Sequence, residues 1–274
     1  MAVIPSGKSA NGTILLNEED QMFDLKGRVA LITGVASKRG IGRSTAFVMA
    51  EQGAKVALCD IDESGLKEVE DMIKMRAGEV LTLKVDVSLW KDVKNVVDRT
   101  LNTFGKIDIL VNNAAINQNV KVVDLKEEDW DHLLAVNLKS IFLFCKAVLP
   151  SMIERGYGRI INMSSVAGKT GCIAWGGAHY SASKAAILGF SKHLVREVSR
   201  YGITVNSITP GTIATDIRGG LESEQRQREI SKGIPVGRFG KTEEVAWTIC
   251  FLASEEAGYI SGEEIDVNGG VYMD

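Results

Sequence analysis

From about residue 28 onward, short uninterrupted apolar runs alternate with stretches whose apolar residues recur every three or four positions. Residues 29–32, Val-Ala-Leu-Ile, and 56–59, Val-Ala-Leu-Cys, carry no polar interruption, and the segment between them, about 42–52, has helical spacing. Apolar runs this short, each followed by a helix, are the pattern of strands buried on both faces and joined by crossover helices. Further runs at 80–85, 107–111, 159–163, 204–208 and 264–267 extend it. Seven strands with helices between them predict an α/β fold, a doubly wound parallel sheet, in one domain over residues 24–274. Residues 1–23 mix small, polar and acidic residues around the patch Ile14-Leu15-Leu16 and are expected to form a flexible arm.

The 274 residues are 45% hydrophobic and 24% charged, enough for a sizeable core and unlike fibrous or disordered chains. With 32 Lys plus Arg against 35 Asp plus Glu, no basic face for nucleic acid is expected. No apolar run approaches the ~18 residues that would span a bilayer, and the start of the chain lacks the order of a signal peptide, so no membrane partner is expected. Cys59, Cys145, Cys172 and Cys250 lie far apart, without metal-ligand spacing to the three histidines. No metal is expected, and a reducing, cytoplasmic location is the simplest reading.

The first strand runs into Thr33-Gly34-Val35-Ala36-Ser37-Lys38-Arg39-Gly40-Ile41-Gly42, and a helix follows. There Gly34, Gly40 and Gly42 permit a tight turn and let the backbone approach a pyrophosphate, whose charge sits at the helix's positive end beside Ile41. An ordinary strand-to-helix turn would use the same glycines. Asp60, ending the second strand, is placed to accept hydrogen bonds from adenosine ribose hydroxyls, which favours NAD over NADP because a 2′-phosphate is repelled. Asp62 competes for that role, and Lys38 and Arg39 could instead pair with such a phosphate.

Tyr180 and Lys184, with helix formers after them, fall on one helical face. An ammonium there stabilises a phenolate against tyrosine's ordinary pKa of about 10, which suits proton exchange with an alcohol or carbonyl oxygen. Such a pair is also common on solvated helices. Upstream, the strand at 159–163 ends in Ser164-Ser165-Val166-Ala167-Gly168, at the sheet edge where α/β proteins bind ligands.

Taken in order, Thr33-Gly34 to Gly40-Ile41-Gly42, Asp86-Val87, Asn112-Asn113-Ala114-Ala115, Asn137 in Val-Asn-Leu-Lys, Ser164 to Gly168, Tyr180-x-x-x-Lys184 and Pro210-Gly211-Thr212-Ile213-Ala214-Thr215 closely resemble the short-chain dehydrogenase/reductase family. The resemblance spans about residues 25–270. It implies a Rossmann fold and an NAD(P)-dependent enzyme acting on CH-OH groups. It gives Tyr180 the role of general acid or base and has Ser165, rather than Ser164, hydrogen-bond the reacting oxygen. Lys184 would hold the nicotinamide ribose, and Asn137 would help hold a water on a proton path from Lys184. Cofactor contacts are implied from Gly34, Ser37, Arg39, Gly40, Ile41 and Gly42 in the loop, and from Asp86 and Val87 beside the adenine. Asn113 and Ala114 would run along the adenosine side, with Pro210, Gly211, Ile213 and Thr215 towards the carboxamide end. Residues 212–238 are expected to form a substrate lid, and relatives that pair apolar helices such as 141–148 imply a homotetramer or homodimer.

Some features depart from the family pattern. The glycine motif is longer than the common Gly-x-x-x-Gly-x-Gly. The run from Thr33 to Lys38 also resembles enoyl thioester reductases of the same fold, but those space tyrosine and lysine more widely and lack the serine. The segment 171–179 is longer than in many relatives and should wall the pocket, with Cys172 and Trp175 as candidate lining and His179 lining the loop. Two substrate readings follow. Asp60 and the polar lid favour a sugar, polyol or small hydroxy compound. The alternative is a 3-oxoacyl thioester, whose reductases resemble this chain but usually prefer NADPH and often carry an arginine where Tyr201 stands. A non-catalytic nucleotide-sensing scaffold would have no need of Ser165, Tyr180, Lys184 and Asn137 together.

Overall fold

Strand side chains alternate between two faces, so each buried strand feeds two layers of core. The computed structural model describes residues 22–171, 176–217, 219–220 and 223–273. Among them the strands are β1 Val29–Thr33, β2 Lys55–Asp60, β3 Val80–Lys84, β4 Ile109–Asn112, β5 Gly158–Met163, β6 Ile203–Pro210 and β7 Glu264–Val267. They pair in parallel throughout, in the order β3-β2-β1-β4-β5-β6-β7. Each predicted run became a strand, with no end shifted by more than two residues.

The helices are α1 Ile41–Glu51, α2 Glu63–Met75, α3 Trp90–Phe104, α4 Glu127–Leu134, α5 Ser140–Arg155, α6 Ala167–Thr170, α7 Ala178–Val198, α8 Glu224–Ser231 and α9 Thr242–Ala253. In β1, Ala30 and Ile32 pack with Met49 of α1 and Val245 and Ile249 of α9. Leu31, between them, packs on the other face with Val96 of α3, Phe144 of α5 and Ile187 of α7. This two-sided burial explains why the strands read as unbroken apolar runs.

A π-helical turn, Ala135–Lys139, joins α4 to α5. The continuous helix Glu127–Arg155 reaches a mean hydropathy of 1.7 over an 18-residue window, enough by length and composition to cross a membrane. The sequence reading of no such stretch is corrected here: scattered polar residues hide it from a search for unbroken runs. Half of that window is buried inside the fold, where Ile141, Phe144, Val148 and Met152 fill the core. The arm expected at 1–23 lies outside the described residues except for Met22 and Phe23. Phe23 meets Phe251 of α9 edge-on at 5.4 Å.

Between β1 and β4 the strand order reverses, which opens a crevice at the carboxyl ends of the strands. A buried polar ladder fixes the helix that supplies one of its walls. Asn112 Nδ2 donates to Asn162 Oδ1 at 2.8 Å, Asn162 Nδ2 to Ser191 Oγ at 2.9 Å, and Ser207 Oγ to Ser191 Oγ at 2.9 Å. Such bonds are each worth about 1 kcal/mol net, but leaving a buried partner unpaired costs more. The ladder therefore sets the register of α7 on β4, β5 and β6.

Candidate active site

The glycine loop is shaped by close approaches. Gly34 turns at φ +72°, and a Cβ on it would lie 2.6 Å from the Ala114 Cα; one on Gly42 would lie 2.3 Å from the Gly34 carbonyl oxygen. Only glycine lets the loop, the start of α1 and the turn after β4 close on one another. Asn113 locks the junction by donating through Nδ2 to the Thr33 and Gly34 carbonyls at 2.9 and 2.8 Å. Thr33 Oγ1 accepts from the N–H groups of Asn113 and Ala114. Gly40 caps α1 with no side-chain hydrogen bond, so the positive helix end is left to an anionic ligand. The residues present fit a dinucleotide.

A cavity of about 500 Å³ lies over this end of the sheet. Its lining includes Gly34, Gly40, Ile41, Asp60 and Asn113 from the loop side. Ser165, Tyr180 and Lys184 line it, as do Pro210, Gly211, Ile213 and Thr215. Gly42 and Ala114 stand behind that lining as packing partners of Gly34. Asp86 and Val87 stay outside it, and the Asp86 carboxylate accepts from the Ser88 N–H and hydroxyl at 2.9 and 2.6 Å. Asp60 accepts from the Ala36 N–H at 2.9 Å and the Asp62 N–H at 3.1 Å. Asp62 lines the same cavity and caps α2 by accepting from the Ser64 N–H.

Ser37 and Arg39, expected as cofactor contacts, line the cavity and also bond within the chain. Asp216 Oδ2 accepts from Ser37 Oγ at 3.2 Å and from the Arg39 N–H at 3.0 Å, while Oδ1 meets Arg39 Nε at 2.8 Å and Nη2 at 2.5 Å. An ionised acid facing two basic or donor groups satisfies them before any phosphate need do so. Burial works to raise the Asp216 pKa, but the bonds from Arg39 and Ser37 outweigh it and hold the carboxyl below its ordinary value. Lys38 pairs with Glu68 at 3.4 Å. Sequence reasoning missed Asp216 because its partners lie up to 179 positions away.

The wall opposite the glycine loop comes from β5 and α7. Ser164 Oγ donates to the Lys184 carbonyl at 2.7 Å, whereas Ser165 accepts from the Ala167 N–H at 3.1 Å and keeps its hydroxyl hydrogen available at the cavity. Lys184 is buried, with Nζ donating to the Met163 carbonyl at 2.7 Å and lying 5.7 Å from the Tyr180 ring centroid. Burial lowers its pKa from 10.5 to about 8. At neutral pH the amine stays largely protonated, and its charge favours the Tyr180 phenolate. Gly168 permits the approach of α6 to α7, since a Cβ there would lie 2.7 Å from the Lys184 carbonyl carbon.

Asn137 does not line the cavity. It is buried in the π-helical turn, with Oδ1 accepting from the Ile116 N–H at 2.9 Å and Nδ2 donating to the Ile116 carbonyl at 3.0 Å and Ser183 Oγ at 3.3 Å. These bonds satisfy the side-chain amide, because a buried amide must find partners in the fold. Asn137 thus pins the backbone at Ile116, beside Asn117, which does line the cavity. His179 is buried with its ring against Gly177 of the 171–179 segment, Nε2 and Gln118 Oε1 lying 2.9 Å apart and Gln118 donating to Asp129 at 3.1 Å. Burial lowers its pKa despite the Asp129 charge. Cys172 and Trp175 lie outside the described residues, as do three positions of the expected lid.

A family model described as enoyl-(acyl carrier protein) reductase matches residues 34–272. The chain is 42% identical to an uncharacterized short-chain type dehydrogenase/reductase, y4mP, of Sinorhizobium fredii, over 91% of this chain and 99% of that one. It is similarly 42% identical to a 3-oxoacyl-(acyl-carrier-protein) reductase of Vibrio cholerae and 41% identical to the one of Escherichia coli, in both cases over 92% of this chain and 100% of the other. A match of this reach, on a doubly wound sheet with this cavity at its switch point, makes the chain a member of the short-chain dehydrogenase/reductase family, an oxidoreductase acting between alcohol and keto groups.

Proposed function

We propose that the protein reduces the keto group of 3-oxoacyl thioesters with NADH, in the cytoplasm and as a homo-oligomer. The observation that carries the substrate is the 41–42% identity, over their whole length, to relatives named for that reaction. The apolar side chains around Ser165, namely Met163, Val166 and Ala167, suit an acyl chain. The family description names enoyl reduction, but Ser165 beside a tyrosine and lysine one helical turn apart favours a carbonyl over a carbon–carbon double bond.

The nicotinamide, when bound, supplies the two electrons of the reduction. Tyr180 gives its proton to the developing alkoxide, Ser165 donates a hydrogen bond to the same oxygen, and Lys184 stabilises the phenolate left behind. The glycine loop and the uncapped start of α1 hold the pyrophosphate, and Thr215 orients the carboxamide. Asp60 and Asp62 repel a 2′-phosphate, while the basic groups that could receive one are paired with Glu68 and Asp216. Phe142 and Trp90, both partly exposed and bridged by Lys146, support pairing with a second copy. The polar helix α8, whose Gln227 and Arg228 line the adjoining groove, favours a second reading, oxidation of a sugar or polyol with NAD.

The test is a spectrophotometric panel at 340 nm with an acetoacetyl thioester, NADH and NADPH, and with polyols and sugars plus NAD. The expected outcome is thioester reduction with NADH favoured. Turnover confined to polyols or sugars would select the second reading, and a preference for NADPH would overturn the cofactor assignment alone.

A further inference from the structure

The contact between the glycine loop and Asp216 joins two places that the sheet holds apart. The loop follows β1 and Asp216 follows β6, and in the sheet β4 and β5 stand between those strands. At about 4.8 Å per strand spacing, the gap is roughly 14 Å. Any bridge between the two loops therefore arches over the carboxyl ends of β4 and β5, where Asn113 and Ser165 line the cavity. Ser37, Arg39 and Asp216 line that cavity as well, yet the Arg39 side chain is 50% exposed and that of Asp216 26%. These residues form its rim. The contact spans the rim of a cavity of about 500 Å³, so it stands in the path of a ligand without filling the space that the ligand would take.

Resting on the nicotinamide reading above, we propose that Asp216, with Arg39 and Ser37, forms a gate across the mouth of the dinucleotide cleft, which must open for the nucleotide to enter or leave. Four donor contacts converge on one carboxylate, two of them from a guanidinium. A charge-assisted cluster of this kind is stronger than an ordinary surface ion pair. It is also local: the rest of the loop is held separately by Asn113, so opening requires only that Asp216 part from Arg39 and Ser37.

The segment carrying Asp216 is anchored just before the gate. Ala214 donates to the Gly240 carbonyl, and Gly240 donates to the Thr212 carbonyl, each at 3.0 Å. Asp216 thus stands two residues beyond a fixed point of the backbone, close enough to part from the glycine loop without disturbing Thr212 or Ala214.

The experiment is stopped-flow binding and release of NADH and NADPH, followed by nucleotide fluorescence, with wild type, Asp216→Asn, Arg39→Gln, the double variant and Asp216→Glu. The expected result is that association and dissociation of NADH both quicken about tenfold in either single variant, with Kd within about threefold of wild type. The double variant should match the singles, because both abolish the same ion pair, and Asp216→Glu should restore slow exchange. Rates within twofold of wild type overturn the gate. So does a Kd raised tenfold with association unchanged, which would make the pair a holder of bound nucleotide. If Arg39→Gln weakens NADPH more than NADH while Asp216→Asn strengthens NADPH, Arg39 is a phosphate ligand and the gate is again overturned. Wild-type protein that binds neither nucleotide overturns the cofactor reading and the gate with it, whereas tight wild-type binding with unaltered variants overturns the gate alone.

Discussion

Two walls face each other across the cavity, and they are held by different forces. The wall made by β5 and α7 is fixed by buried hydrogen bonds: Ser164 to the Lys184 carbonyl, Lys184 to the Met163 carbonyl, and the ladder through Asn162, Ser191 and Ser207. The wall that follows β6 is fixed at its rim by partly exposed ion pairs, Arg39 with Asp216 and Arg238 with Glu244. Buried bonds of the first kind are expensive to break because the freed groups cannot reach water. Ion pairs of the second kind are screened by salt, and their groups, once parted, are taken up by water. The proposed proton-transfer groups thus sit on the rigid side, and the proposed gate on the side whose contacts can open.

The strongest way to sharpen this contrast is Tyr180→Phe. It removes one hydroxyl from the rigid wall and leaves the packing of α7 intact. Turnover is expected to fall by about two to four orders of magnitude, the usual worth of a positioned acid or base, with NADH affinity within about twofold. Steady-state kinetics and fluorescence titration check it together. Unchanged turnover would remove Tyr180 from the chemistry.

Lys184→Met separates function from stability on the same wall. Burial brings the amine from 10.5 to about 8, so below pH 8 it is charged in both folded and unfolded states and its burial is a cost. At about 1.4 kcal/mol per unit that cost is roughly 3 kcal/mol, offset by about 1 kcal/mol for the bond to Met163. The variant should lose most activity yet be about 2 kcal/mol more stable at pH 7 by denaturant melts. Its advantage should be full below pH 8 and shrink between pH 8 and 10.5, where folded wild type deprotonates before the unfolded chain does. A destabilised variant would mean that the ammonium is better solvated than its burial implies.

The rigid wall was also the legible one. Tyr180 and Lys184 one turn apart, a strand ending at Ser165 and the turn at Gly34 are local patterns, set by helical periodicity and by backbone that only glycine can adopt. The seven apolar runs gave the sheet for the same reason: burial on both faces leaves a local mark. What escaped was set by distance. Asp216 is joined to the glycine loop only because the loops after β1 and β6 meet across the carboxyl ends of β4 and β5, and nothing adjacent to it in the chain marks that partnership. Asn137 was visible as a residue but not in its bonding, since its bonds to Ile116 depend on how the π-helical turn seats against the end of β4. Asp86 and Val87 came from resemblance alone, and the structure keeps them outside the cavity lining.

The smallest effect belongs to the foot of the ion-paired wall. Glu244, in the first turn of α9, accepts from both Arg238 guanidinium nitrogens at 2.9 and 2.6 Å and from the Lys241 N–H at 2.7 Å. Those bonds, from Arg238 above all, hold its pKa down to about 2. The foot matters because Gly240, between the two partners, pairs with the Thr212 and Ala214 backbone that leads into the cavity. Glu244→Gln should cost no more than about 1 kcal/mol, because both side chains are half exposed and screened. A carboxylate with a lowered pKa contributes fully above the ordinary value of 4.5 and loses that contribution as pH falls towards 2. The stability gap between wild type and variant, measured by urea melts from pH 7 to pH 2.5, should therefore be constant down to about pH 4.5 and narrow below it. A gap that stayed constant to pH 2.5 would show that the foot is held by shape and packing rather than by charge, and the contrast between the two walls would then rest on Asp216 alone.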